Sequence, residues 1–171
     1  MYSYFRSRRK KRLAYLFTFI GIVIIVILLY SIYVLTKFET VLTTEGYVPM
    51  KLDKLVSAID RHIVILKGEC TELNFFISPE QASAINEGLS EEIKFRPMTH
   101  DILVDILEGF EIKPVMVKIT TLSDNTYFAE LTLQEWNRFF IVDIRPSDAV
   151  AIAVRTGTLI YVNEELVMKT C

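Results

Sequence analysis

This sequence predicts an α+β fold: a single compact domain of mainly antiparallel strands with three helices, preceded by one transmembrane helix. Three observations lead there. Residues 13–35 carry no charged side chain. Beyond residue 47, β-rich runs arrive in pairs around short polar turns, the signature of hairpins. Three segments with helical start and stop signals interrupt those runs, which argues against a doubly wound parallel sheet.

The apolar segment includes Ile20-Gly21-Ile22-Val23-Ile24-Ile25-Val26-Ile27-Leu28-Leu29. About 20 such residues suffice for a helix to cross a bilayer core. Arg6, Arg8, Arg9, Lys10, Lys11 and Arg12 precede it, whereas Lys37 and Glu39 follow. The positive-inside bias places the N-terminus in the cytoplasm and the remainder on the far side. A cleaved signal peptide is the rival, but the run is long for one and Ser31-Ile32-Tyr33-Val34 offers no small-x-small cleavage site. Expected boundaries are a basic cytoplasmic tail at 1–12, a membrane helix at 13–35, a polar linker at 36–47 and a folded domain at 48–171.

Within the domain, residues 50–59 read as a strand. Ile63-Val64-Ile65-Leu66 and Leu73-Asn74-Phe75-Phe76-Ile77 flank a Gly-containing turn and form a hairpin. Ser78-Pro79-Glu80-Gln81 opens a helix, with serine as N-cap, proline at the first position and glutamine three residues after the cap. That helix should end near Gly88. A second helix starts near Pro97-Met98-Thr99 and places Ile102, Leu103, Ile106, Leu107 and Phe110 on one face, with Gly109 as its stop. Strands at 112–120, 126–133 and 138–144 follow, joined by turns at 123–125 and 134–137. The third helix, 145–157, alternates Ala with Val and Ile, a slim profile suited to close packing, before a short strand at 159–162.

Six of the 19 basic residues precede the apolar segment, leaving 13 against 21 acidic residues in the rest, a net of −8. Such a domain makes a poor general surface for the phosphate backbone, which is gripped by Lys and Arg. The basic tail is explained by its place beside the membrane. Cys70 and Cys171 show no metal-ligand spacing, and spacing leaves open whether they pair. No nucleophile elbow, HExxH or P-loop occurs.

The polar residues of interest gather at helix starts: Glu80 and Gln81; Thr99, His100 and Asp101; Arg145, Ser147 and Asp148. Capping and dipole compensation account for such residues locally. The same physics makes a helix start beside Arg145 an anion site. Asp101 and Asp148 would suit a hard divalent cation such as Mg²⁺ or Mn²⁺ if the fold joins them, and His100 is available as a general base. Arg155 stands at the helix end, where a cation favours the dipole.

Arg96-Pro97-Met98-Thr99-His100-Asp101-Ile102-Leu103, Val142-Asp143-Ile144-Arg145-Pro146-Ser147-Asp148-Ala149 and Arg155-Thr156-Gly157-Thr158-Leu159-Ile160-Tyr161-Val162 together resemble the bifunctional nuclease family, named for DNase and RNase activity in some members. The likeness runs from about residue 50 to 166. It implies a compact α+β domain that forms wedge-shaped homodimers with a groove as active site. The polar site residues it implies are His100, Asp101, Arg145, Ser147, Asp148 and Arg155; the chemistry of these residues would assign His100, Asp101, Ser147 and Asp148 to catalysis, Arg145 and Arg155 to phosphate, and Asp101 and Asp148 to metal. Where the family has Gly-Pro-x-Glu-Ala, this chain has Ser78-Pro79-Glu80-Gln81-Ala82, so the carboxylate has either moved one position to Glu80 or been replaced by the amide of Gln81.

The expected function is therefore that of a membrane-anchored, metal-assisted nuclease of low sequence specificity acting on DNA or RNA. The alternative is a non-catalytic, membrane-tethered dimeric binding domain whose helix starts are only caps.

Overall fold

The computed structural model describes residues 2–57, 61–90 and 96–171, with side chains from residue 15 onward except 37–40. The basic side chains of the 1–12 tail and the last two residues of the strand expected at 50–59 lie outside the described residues.

The chain forms two compact units, 1–43 and 44–171. The first is a single helix, α1 (Tyr2–Val41). Its stretch Tyr15–Thr36 has a mean hydropathy of 2.7 and is long and apolar enough to cross a membrane. The hydroxyls of Thr18, Ser31 and Thr36 donate to carbonyls of the preceding turn, which satisfies these polar groups within the apolar helix. The helix continues through 36–41, where a linker was expected, because neither Gly nor Pro intervenes between Gly21 and Gly46 to stop it.

The second unit contains β1 (Tyr47–Ser57), β2 (His62–Lys67), β3 (Thr71–Ile77), α2 (Pro79–Leu89), α3 (Thr99–Gly109), β4 (Lys113–Ser123), β5 (Thr126–Glu135), β6 (Arg138–Ile144), α4 (Pro146–Thr156), β7 (Ile160–Asn163), a 3₁₀ turn (Glu164–Leu166) and β8 (Met168–Lys169). These strands form one sheet of order β6-β5-β4-β7-β1-β2-β3-β8. All neighbours are antiparallel except β4 and β7, which run parallel. The α+β class and the mainly antiparallel sheet agree with the sequence reading.

The turns explain the hairpin registers. Asp124 and Asn125 both take positive φ (48° and 60°) between the paired Ser123 and Thr126, a two-residue turn suited to a twisted hairpin. β1 changes partners along its length: residues 47–50 pair with β7 and the part from Lys51 onward with β2, with a register shift between Leu52 and Lys54. Bulges bend a strand and increase its twist. The sheet consequently coils, so that Phe75 on β3 meets Tyr127 on β5 with ring centroids 5.8 Å apart, although four strands separate them in the sheet order.

α4 fills the concave side. Pro146 and Ser147 are buried, and the run Ala149–Ala153 shares one core with Val64, Leu66, Val117, Ile119, Leu131 and Val162 from the sheet. Its alternating small residues let the coiled sheet close on it. α2 packs beside it through Ala82 and Ile85.

α3 leaves most of its apolar face open. Of the face read as apolar, only Leu107 is buried, while Ile102, Leu103, Ile106 and Phe110 are exposed. Periodicity identifies an apolar face but not what covers it. The edge strand β6 likewise exposes Phe140, Ile141 and Val142.

Cys70 and Cys171 form a disulfide, which the sequence left open. It sits beside the β3–β8 pairing and the hydrogen bond from Thr170 N to Cys70 O, and so pins the last strand. The sequence separation is 101 residues. Closing so long a loop restricts the unfolded chain strongly. Reduction, or Cys70→Ser, is expected to lower unfolding free energy by about 2–5 kcal/mol in urea titrations. An unchanged midpoint would show that the bridge adds nothing to stability.

Candidate active site around helix α4

Both ends of α4 carry the charged residues singled out in the sequence, and the two ends differ. At the C-terminal end, Arg155 is almost fully buried, its side chain 7% exposed. Nε donates to Asp101 Oδ1 at 2.7 Å, and Nη1 donates to the carbonyls of Ala84 (2.9 Å) and Ala151 (2.7 Å). One guanidinium thus ties α2, α3 and α4 together. Asp101 also accepts from Met98 N at 2.7 Å through Oδ2, closing the first turn of α3. Gly88 is fitted to this arrangement: a Cβ there would collide with Arg155 Nη1 and come 2.7 Å from Val154 Cγ2.

At the N-terminal end, Asp148 accepts from Arg145 Nε at 2.6 Å and Nη2 at 3.1 Å. The bidentate pair raises the Arg145 pKa, first through the hydrogen bonds and then through the charge of Asp148. Asp148 also meets His100 Nε2 at 3.3 Å, across 48 residues of sequence. The fold thereby unites Arg145, Asp148 and His100 where α3 and α4 begin. Asp101 and Arg155 are given to each other instead.

The donor set suits a divalent cation poorly. Each carboxylate is already engaged by an arginine, and among the described residues no group of three or more His, Cys, Asp or Glu side chains converges. Hard cations favour several free oxygen ligands.

Ser147 is buried, 4% exposed, and lines a cleft of about 370 Å³ together with Arg145, Gln81 and β3. Gln81 completes a capping box: its Oε1 accepts from Ser78 N at 2.8 Å, and its N–H donates to Ser78 Oγ at 3.3 Å. Glu80 points elsewhere in its bonding, accepting from Ser78 Oγ at 2.7 Å, which lowers its pKa. Sequence reasoning missed Asn74 as a cleft residue; its polar side chain within the otherwise apolar run Leu73–Ile77 was the available signal.

An α+β domain with a slim helix held inside a coiled sheet, and an Arg–Asp–His cluster at that helix's start, defines the class of protein. The chain belongs to the bifunctional nuclease domain family, whose model matches residues 64–171. It is 41% identical over 69 residues to an uncharacterized protein of Mycobacterium tuberculosis, in two strains, covering 40% of each chain. Over 76 residues it is 37% identical to Bifunctional nuclease 2 of Arabidopsis thaliana, covering 42% of this chain and 22% of the plant protein. The match therefore spans less than half the length of these relatives.

Removing one partner of a buried ion pair strands the other charge. Asp101→Ala is expected to destabilise the domain by about 3–5 kcal/mol in chemical denaturation. A loss of cap size, about 1 kcal/mol, would mean that Arg155 finds other partners. Gly88→Ala gives a sharper sign test. Alanine is the better helix former, by about 1 kcal/mol. The collision with Arg155 and Val154 should reverse that preference and lower stability by about 1–3 kcal/mol. A stabilised variant would contradict the fit described.

Proposed function

We propose that this protein is a phosphodiester hydrolase, anchored to a membrane by α1, whose reaction centre is the Arg145–Asp148–His100 cluster. The convergence of these three side chains at the start of α4 carries the reading, and membership of the bifunctional nuclease domain family supports it.

The roles follow from the bonding. With Asp148 accepting from His100 Nε2–H, the proton-accepting nitrogen is Nδ1, which can take a proton from the attacking water. Asp148 fixes the tautomer and stabilises the imidazolium that results. Arg145 uses Nε and Nη2 on Asp148, so Nη1 remains to engage a phosphate oxygen. Ser147 adds the first N–H of the helix, since Pro146 has none, and its hydroxyl. Arg155 and Asp101 act through position: their pair holds the start of α3, and with it His100, against α4.

The Cys70–Cys171 disulfide supports an extracytoplasmic domain, because such bonds persist in oxidising compartments. That agrees with the N-terminus-in orientation inferred from the basic tail. The exposed apolar residues of α3 and β6 support a homodimer, which would cover them.

One observation favours the non-catalytic alternative. Gln81, at the family glutamate position, is occupied as a cap, so that position supplies no carboxylate.

Purified full-length chain in detergent micelles, incubated with single- and double-stranded DNA and RNA, decides between them. Cleavage should fall about 10²–10⁴-fold in Asp148→Asn, the usual worth of acid–base catalysis. Stability of that variant should change by only about 1 kcal/mol. Full activity in Asp148→Asn would remove the cluster from the reaction. No cleavage by the folded wild-type chain would favour the binding module. Because no step here passes through a metal ion, activity should survive EDTA.

A further inference from the structure

The cleft beside the cluster has a second half that hydrolysis of a phosphodiester does not itself require. Arg145, Ser147 and Gln81 line the cleft together with Phe76, Tyr127 and Asn74. Two polar groups there lack partners among the described residues. Ser147 is 4% exposed, lines the cleft, and its hydroxyl makes no hydrogen bond. Asn74 donates through Nδ2 to Glu72 at 2.8 Å, but its Oδ1 is buried without a donor. Asn74 Oδ1 has no accessible surface in the cleft, so the Ser147 hydroxyl is the group that a ligand there would give a hydrogen-bond partner.

The aromatic side chains have their own electrostatics. Phe76 is 67% exposed, although β3 offers it a buried neighbour in Phe75. The Arg61 guanidinium lies 5.7 Å from the Phe76 ring centroid. A ring open to solvent beside a cation is a platform for a stacked base next to a phosphate chain.

We infer that this cleft binds one unpaired nucleotide, with its phosphate at Arg145 and Ser147 and its base against Phe76. Its volume of about 370 Å³ lies at the small end of ligand sites, which run roughly 300–1,000 Å³. It admits a single nucleotide and excludes a paired one, since a base within a duplex offers no free face for stacking. The inference deepens the nuclease reading and rests on it for the choice of ligand: it makes the preferred substrate single-stranded. The acidic balance of the rest of the chain agrees, because recognition here comes from stacking and one anion site rather than a broad basic surface.

The test uses ligands that cannot be hydrolysed as diesters. Full-length chain in micelles is titrated by calorimetry with adenosine 5′-monophosphate, inorganic phosphate and adenosine. The nucleotide should bind at least about tenfold tighter than either part. Phe76→Ala, at an exposed position, should weaken the nucleotide roughly 5- to 150-fold, the worth of one stacked base, and leave phosphate binding unchanged. Ser147→Ala should weaken both nucleotide and phosphate. In the Asp148→Asn chain, a single-stranded oligonucleotide should displace the bound nucleotide and its duplex should not. The proposal is overturned if the nucleotide binds no better than phosphate, if Phe76→Ala binds it as wild type does, or if duplex competes equally. Nucleotide binding of the expected kind without any strand cleavage would leave this inference standing and remove hydrolysis. Cleavage without such binding would do the reverse.

Discussion

A single buried cation organises the helical half of this domain. Arg155 reaches from the last turn of α4 to a carboxylate on α3 and a carbonyl on α2, while also bonding back to Ala151 on its own helix. Arginine suits the task because its rigid fork presents several donors at fixed angles. Its charge is tolerable only while those acceptors stay in place, so the pair constrains the mutual positions of three helices. Asp101 transmits the constraint further, since its second oxygen closes the first turn of α3 beside His100. The geometry of the His100–Asp148 contact thus depends on an ion pair at the opposite end of α4.

The coiled sheet supplies the other half of the constraint. Burying α4 along nearly its whole length requires small side chains, and Ala149, Ala151 and Ala153 provide them. The bend at the β1 bulge brings β3 around toward the β4–β5 hairpin. Those two strand regions and the starts of α2 and α4 then enclose the cleft. A flat sheet would leave Asn74 and Tyr127 far apart. The same element therefore forms the hydrophobic core and sets the walls of the candidate binding site.

The surface divides by character. α1 is long and apolar, α3 and β6 leave apolar side chains open, and Cys70 is bonded to Cys171. Each is an independent local fact of its own segment.

Local rules made much of this legible in the chain. Ser78-Pro79-Glu80-Gln81 specified both the start of α2 and its capping box, because a cap is satisfied within four residues. Pro146 and Gly157, the latter at φ 69°, bounded α4 for the same reason. The apolar run of α1 and the hairpins also follow from neighbours in sequence. Pairing across long separations did not. Asp101 and Asp148 looked equivalent as carboxylates at helix starts, yet one is spent on a buried arginine and the other faces a histidine 48 residues away. The apolar stripe of α3 was legible as a stripe, but its exposure was not. Periodicity records which side chains share a face, whereas burial depends on what the rest of the chain leaves beside it. The sequence by itself determined elements and caps, whose partners lie within a turn or two. Only the tertiary structure decided which charges meet and which faces stay open, because those contacts exist only once the sheet has coiled around α4.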